Sequence, residues 1–450
     1  MSRLFGTDGI RGVANADLTP EVAFNAGRAG ATVLARDSDR HRPIVVGRDT
    51  RLSGTMLEAA IVAGVTSVGR DIVSIGIVPT PAVACVTVAQ NAAAGIMISA
   101  SHNPVADNGI KFFGPDGFKL SDEIELEIES LAGGNAMPRP LGVDIGVARL
   151  ALNLGKHYYD ELYGTGVDLA GLHIVVDGAY GAAYAMAPYA FRKMGASVTE
   201  IHCENDGSRI NVNCGATHLA PLQEAVRALS AAGEAHVVGV AFDGDADRAL
   251  FVDETGEIVS GDHVMFAIGR SLHESGTLNA STIVGTVMSN IGFERALRKH
   301  GIGLIRAAVG DRYVLETMRA GGYRLGGEQS GHIIDLRRNT TGDGPMTAMT
   351  LFGIVKASKM RLHDLVAEIV VAPQILLNVR TSRKDVLDSD TVKDAIANAE
   401  ASLSGSGRLL VRPSGTEPLI RVMAEGDDRR QIERIAADLA ADIEAAATAL

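Results

Sequence analysis

The chain has 450 residues, with 54 Asp and Glu against 42 Lys and Arg and a formal net charge of −12. That length exceeds one hydrophobic core and predicts three or four domains, while the acidic balance argues against a generic nucleic-acid binder. Hydrophobic residues at 46%, aromatics at only 4% and 51 glycines suit α/β units with tight strand-to-helix turns. Any anionic ligand must then be caught by local basic clusters. Cys85, Cys203 and Cys214 form no CxxC and no even framework, so they read as reduced thiols with no His/Cys cluster of zinc spacing around them. The opening MSRLFGTDGIRG has no apolar signal-like run, and no apolar stretch reaches membrane-spanning length. A soluble cytoplasmic protein with no membrane or nucleic-acid partner is the expectation.

In chain order, residues 3–12 read either as a Gly-punctuated surface turn or as a segment that brings Arg11 close to a ligand. Residues 44–47 read as a strand, 48–51 as a polar loop, 55–69 as a helix and 71–77 as a strand, with Pro79 and Pro81 marking the next helix start. A buried-strand pattern at 95–99 ends in the turn Ala100-Ser101-His102-Asn103-Pro104. Ser121 reads as the cap of an acidic-first-turn helix through Leu131, and 133–140 as a Gly/Pro linker. The second unit has strands at 172–177, 197–202 and 237–242, the first entering a tight turn, 178–181, that leads into a helix. The third has strands at 283–286 and 304–308 and a helix beginning near Ser289. Strand–helix alternation through three units predicts an α/β class, as sandwiches with largely parallel sheets. Beyond 370, strands at 374–379, 409–411 and 420–424 and a helix at 429–446 indicate a small α+β domain. The expected domains are 1–150, 151–252, 253–368 and 369–450.

The chemistry starts at Ser101. A hydroxyl at a strand end beside an imidazole is what a nucleophile or phosphate carrier needs, although Ser-His-Asn-Pro alone is also an ordinary turn. Lys111 and Lys119 bring cations back toward that loop. Asp243, Asp245 and Asp247 follow an apolar strand at alternate positions, a pattern able to converge on one hard cation such as Mg²⁺. A phosphoserine at Ser101, carrying about −1.5 to −2 charge, would complete the ligand set, with Arg248 and Lys111 available to compensate. Residues 326–332, GGEQSGH, offer carboxylate, amide, hydroxyl and imidazole in one turn, a set that matches sugar hydroxyls. Arg412, Ser414, Gly415 and Thr416, with Arg421 nearby, have the donors of a phosphate cradle.

FGTDGIRG at 5–12, ISASHNP at 98–104, DNGIKFF at 107–113, DGDADR at 243–248, GGEQSGH at 326–332, TTGDG at 340–344 and RPSGTEPLIRVMAEG at 412–426 together resemble the α-D-phosphohexomutase family, in its motif order. Within that family the likeness is to members acting on amino-sugar phosphates. The resemblance implies four domains around a central cleft, three similar α/β sandwiches and a smaller C-terminal one. It implies Ser101 as phosphoserine, Mg²⁺ on Asp243, Asp245 and Asp247, and Glu328, Gln329 and Ser330 on the sugar. It places Arg412, Ser414, Gly415, Thr416 and Arg421 on the phosphate that is not transferred, with Arg11, His102, Lys111, Arg248 and His332 around the reacting groups. The implied reaction interconverts glucosamine 6-phosphate and glucosamine 1-phosphate through a 1,6-bisphosphate, with glucosamine or glucose 1,6-bisphosphate as activator. Its product would feed UDP-N-acetylglucosamine and peptidoglycan precursors, and a homodimer is the expected assembly. Lys111 is the expected general acid or base, its pKa lowered by Arg248 and assisted by His102 and His332. Ala246 stands where glycine is common, and Val105-Ala106 replace an aromatic pair, which touches loop packing only. The rival readings are a phosphomannomutase or phosphoglucomutase, a haloacid-dehalogenase-like phosphatase with an Asp nucleophile, and a sugar-phosphate sensor without turnover.

Overall fold

The computed structural model describes residues 4–6, 8–134, 137–414 and 418–449. The chain divides into two compact units, Met1–Thr286 with Ile305–Ala367, and Val287–Leu304 with Glu368–Leu450.

The larger unit holds three sheets. In the first, Ile44–Arg48 lies between Ala94–Ile98 and Ile72–Ile77, all parallel, with Ala148–Leu150 on one edge. On the other side Asp107–Phe113, Gly9–Val13 and Phe5–Gly6 continue it antiparallel. Alternate side chains go to opposite faces of a strand, and here both faces are covered. Ile44, Val46, Ile96, Ile98 and Phe112 enter one core with the helices Pro20–Leu34, Gly54–Ser67 and Asp122–Ala132. Val45, Met97 and Phe113 enter the other, against Thr80–Ala89. Each such aliphatic side chain contributes about 1.5–3 kcal/mol on burial. The first two helices cross closely at Gly64, where a Cβ would stand 2.3 Å from Phe24 O, so alanine there would force them apart.

The second sheet sets Val237–Phe242, His173–Asp177 and Ser197–Ile201 in parallel and adds Ala249–Val252 and Ile258–Val259 antiparallel. The third runs in the order Gly303–Ala307, Thr282–Thr286, Leu325–Gly327, Ile333–Asp335, the last antiparallel to its neighbour. The smaller unit packs Gln374–Arg380, Leu419–Gly426 and Gly407–Pro413, all antiparallel, under the helices Asp390–Ser402 and Arg429–Ala449.

The α/β class and the change of texture after 370 are as the sequence indicates. The sheets are mixed, not largely parallel, because several connections are too short for a crossover, which needs a dozen or more residues. Two local readings also change. Phe5–Gly6 and Gly9–Val13 form two paired antiparallel strands within the segment read as a turn or a ligand-approaching stretch. The segment after Asp177 runs on to Met186 before a helix starts, with Ala179 and Tyr180 both at positive φ.

Candidate active site

Three loops of the larger unit come together, and each is a short return between antiparallel strands. Residues 99–106 join Ala94–Ile98 to Asp107–Phe113, 243–248 join Val237–Phe242 to Ala249–Val252, and 328–332 join Leu325–Gly327 to Ile333–Asp335.

Ser101 is buried at φ 53°, a left-handed conformation that costs a non-glycine residue about 1–2 kcal/mol. Its neighbours hold it there. The buried Arg51 guanidinium donates to the carbonyls of Ser101 (3.0 Å), Asn103 (2.8 Å), Pro104 (2.5 Å) and Asp107 (2.9 Å), and its Nε to Asp49 Oδ2 at 3.1 Å. Ser99 Oγ donates to that same Asp49 oxygen and accepts from the Ser101 N–H. Asn211 Nδ2 adds a bond to Ser101 O at 2.9 Å. So fixed, Ser101 Oγ donates to Asp243 Oδ2 at 2.5 Å and lies 3.3 Å from His102 Nδ1.

Oxygens of Asp243, Asp245 and Asp247 lie within 4.8 Å of one another, all buried. Ala246, at φ 53°, takes the left-handed step that lets the alternate carboxylates converge, which is why glycine would be the unstrained residue there. Burial and the adjacent Asp247 and Asp245 push the Asp243 carboxyl well above the usual range. Asp245 Oδ1 and Asp247 Oδ1 are buried without a hydrogen-bond partner. Oxygens left so are costly, and an all-carboxylate set with spare lone pairs fits a hard divalent cation such as Mg²⁺. Thr80 aims one of the three: its Oγ1 donates to Asp245 Oδ2 at 2.6 Å and its N–H to Asp245 O at 2.9 Å.

Cations ring the carboxylates. Lys111 Nζ is 2.9 Å from Asp245, 3.2 Å from Asp8 and 3.4 Å from Asp247. Burial alone would lower its pKa, but Asp245, Asp8 and Asp247 outweigh it and hold Lys111 well above the ordinary value. The lowering expected from Arg248 is not what these surroundings produce: three carboxylates favour the ammonium form of Lys111. His102 behaves oppositely: burial, then Arg248 and Arg11, push it down to about 4, so it is neutral at pH 7. His332 is buried between Asp247 and Asp311, each 3.6 Å away, and they raise it against the pull of burial. Arg248 Nε lies 3.9 Å from Asp247. Arg11 pairs with Asp8 and reaches Asn103 Oδ1 at 3.4 Å, and Lys119 bridges Asp8 and Asp311.

In the third loop Glu328 accepts the Gly310 N–H at 3.0 Å and the Ser330 hydroxyl at 3.1 Å, while the Gln329 carbonyl accepts Gly261 N–H. The smaller unit carries the other group. Arg412 and Arg421 stand directly opposite on adjacent strands, and burial together with Arg421 draws Arg412 below its ordinary range. The Ser414 N–H closes back on Leu419 O at 2.9 Å. Gly415 and Thr416 lie outside the described residues.

The sequence analysis gives no site role to Arg51, Asp49, Asn211, Thr80, Asp8 or Asp311. Arg-Asp-Thr-Arg at 48–51 was the available signal, a polar run directly after a buried strand. Cys85, Cys203 and Cys214 are free thiols, and the fold brings His202 and Asp177 to Cys214 from separate segments.

Models of the four phosphoglucomutase/phosphomannomutase domains match this chain: the alpha/beta/alpha domains I, II and III at residues 2–137, 156–256 and 260–372, and the C-terminal domain at 376–442. The chain is 51% identical over 450 residues to the phosphoglucosamine mutase of Thermoanaerobacter sp. (strain X514), covering 99% of both. A phosphoglucomutase/phosphomannomutase family protein of Burkholderia thailandensis shares the fold, with a TM-score of 0.83 at 24% identity over 99% of this chain and 98% of that one. So does Aspergillus fumigatus N-acetylphosphoglucosamine mutase, solved in complex with GlcNAc-6P and magnesium, at a TM-score of 0.67 and 17% identity over 99% and 96%. No helix among the described residues is long and apolar enough to cross a membrane.

Proposed function

The chain belongs to the phosphoglucomutase/phosphomannomutase family of mutases, and we propose that it is a cytoplasmic phosphoglucosamine mutase. It interconverts glucosamine 6-phosphate and glucosamine 1-phosphate, the amino sugar destined for UDP-N-acetylglucosamine and peptidoglycan precursors. The observation that carries this reading is the Ser101 hydroxyl seated on Asp243 inside a buried carboxylate triad.

Phospho-Ser101 gives its phosphoryl group to the sugar 1-hydroxyl: the Ser101 O–P bond breaks, a new O–P bond forms at the sugar oxygen, and the proton that this oxygen loses is matched by the one the released Ser101 oxygen takes up. The resulting 1,6-bisphosphate turns end for end and returns its 6-phosphoryl to the Ser101 oxygen. Ser101 Oγ donates its proton to Asp243 Oδ2 at 2.5 Å, and neutral His102, 3.3 Å away, is the second group within reach of that proton. Lys111 and Arg248 stay charged and offset the negative charge spread over the phosphoryl oxygens. Asp243, Asp245 and Asp247 would hold Mg²⁺, which when bound supplies further charge neutralisation there. Glu328, Gln329 and Ser330 take the sugar hydroxyls and amine. Arg412, Ser414 and Arg421, with Gly415 and Thr416, take the phosphate that is not in transfer. Free glucosamine or glucose 1,6-bisphosphate restores the phosphoserine when it is lost. The dehalogenase-like phosphatase is set aside, since all four matched domain models are phosphoglucomutase/phosphomannomutase domains.

The test is intact-mass spectrometry after incubation with glucose 1,6-bisphosphate and Mg²⁺, with site localisation, followed by turnover of glucosamine, glucose and mannose phosphates. One phosphoryl group on Ser101 and preference for the glucosamine ester are expected. Turnover by Ser101→Ala would refute the phosphoserine route, and preference for mannose or glucose phosphate would return the chain to its rivals.

A further inference from the structure

A second cluster of ligating side chains lies apart from the triad. Asp177, His202 and Cys214 bring a carboxylate oxygen, an imidazole nitrogen and a sulfur within 4.8 Å of one another. Asp177 ends the strand His173–Asp177, His202 follows the parallel strand Ser197–Ile201, and Cys214 precedes the turn Gly215–Thr217. Asp177 is opposite Ile201 in register, so two of the three groups meet at the carboxyl ends of neighbouring parallel strands, where open α/β sheets hold ligands.

Asp177 is fully buried and its carboxylate is aimed. The Ala179 N–H donates to Oδ1 and the Gly215 N–H to Oδ2, each at 2.9 Å, which leaves a lone pair on each oxygen. Outer bonds of this kind orient the ligands of metal sites. His202 Nδ1 lies 3.1 Å from Asp177 Oδ2, at ion-pair distance but without a well-directed hydrogen bond. Cys214 is fully buried. The backbone around the cluster is held in left-handed conformations at Ala179, Tyr180, His202, Asn211 and Asn213, with φ of 53°, 52°, 51°, 61° and 53°.

We propose that Asp177, His202 and Cys214 bind a borderline-soft divalent cation, zinc by preference, at a site separate from the carboxylate triad. Mixed oxygen, nitrogen and sulfur donors suit Zn²⁺, whereas the all-oxygen triad suits Mg²⁺, so the two sites select different ions. The 3.1 Å spacing is close to one edge of a tetrahedron built on bonds of about 2.0–2.3 Å. On binding, the Cys214 proton is released to solvent, His202 ligates as neutral imidazole through Nδ1, and water takes the fourth position. The bound ion would staple the segment that carries Asn211, whose side chain donates to Ser101 O and Asn103 O. It would thus stiffen the backing of the serine loop.

The test is titration of the chelator-stripped full chain with Co²⁺ in excess Mg²⁺. One equivalent should bind with a sulfur-to-cobalt charge-transfer band that Zn²⁺ abolishes by displacement. Asp243→Asn should keep the band, Cys214→Ser should lose it, and His202→Gln should weaken binding at least about tenfold. Zn²⁺ should raise the Tm of the unaltered chain and leave that of Cys214→Ser unmoved. No band in the unaltered chain, or an undiminished band in Cys214→Ser, overturns the proposal. Should Cys214→Ser fail to fold, unchanged Co²⁺ affinity in His202→Gln overturns it equally.

Discussion

Ser101 Oγ donates to Asp243 Oδ2 at 2.5 Å, a contact between groups 142 positions apart in the chain. It joins the loop that would carry the phosphoryl group to the loop that would carry the cation. Ser101→Ala should fold normally, take up no phosphoryl group and lose turnover. Asp243→Asn should act differently. Removing one of three crowded carboxylates relieves repulsion, so the metal-free Tm should hold or rise, while turnover falls about 10²-fold or more. Thermal unfolding with and without Mg²⁺, beside rate assays, separates the two outcomes.

Thr80 is the hydroxyl that aims Asp245. Thr80→Val keeps the shape and removes the O–H donor. Partners behind a metal ligand typically matter 10- to 100-fold in metal affinity, so the Mg²⁺ concentration for half-maximal activity should rise about tenfold. Turnover at saturating Mg²⁺ should change little. An unchanged Mg²⁺ requirement would show that Asp245 is held without Thr80.

How much of this was legible in the sequence depended on range. Ser101-His102 and the Asp243–Asp247 run each sit in adjacent residues, so they could be singled out from the sequence, and the fold brings the two segments together. Arg51 could not be read, because it acts through four carbonyls 50 to 56 residues away. The charge state of Lys111 depends on Asp8, Asp245 and Asp247, which arrive from two other segments and are not its neighbours in the chain. The mixed sheets were readable in principle: eight residues, 99–106, separate the strands Ala94–Ile98 and Asp107–Phe113, too few for a crossover.

The Arg51 guanidinium spends every bond on the serine loop and on Asp49. Lysine has one compact ammonium and cannot serve five acceptors in a plane. Arg51→Lys should cost about 3 kcal/mol of stability, the low end for breaking a buried ion pair. If Arg51 positions Ser101 beyond holding the fold, phosphoryl uptake by Ser101 should slow more than substrate KM rises. Equal effects on both would mean a merely structural residue.

His263 gives a pH test remote from the triad. It sits at the third position of the helix Gly261–Glu274, where Nδ1 accepts the Ser260 N–H at 3.3 Å, and burial pushes it down to about 4. Its unfolded value is about 6.5. A group depressed in the fold contributes stability that is complete above about pH 6.5 and is lost as the pH falls to about 4, up to roughly 3 kcal/mol. His263→Gln can keep the reciprocal cap and does not titrate. Its Tm should therefore fall less than that of the unaltered chain between those pH values, and parallel curves would refute the assignment.

Arg412 and Arg421 face each other across neighbouring strands, in register, an arrangement in which like charges are destabilising. A phosphate dianion would convert that repulsion into paired charge-assisted hydrogen bonds. Arg421→Ala should then abolish the rise in Tm that sugar phosphate produces. If the smaller unit holds whichever phosphate is not in transfer, glucosamine 6-phosphate and glucosamine 1-phosphate each need it once per turnover. A bond to a charged group is worth about 1.5–3 kcal/mol, so kcat/KM should drop about 10- to 100-fold in the forward and reverse directions alike. A loss confined to one direction would mean that Arg421 serves only one end of the sugar, and the end-for-end turn would need a second phosphate site.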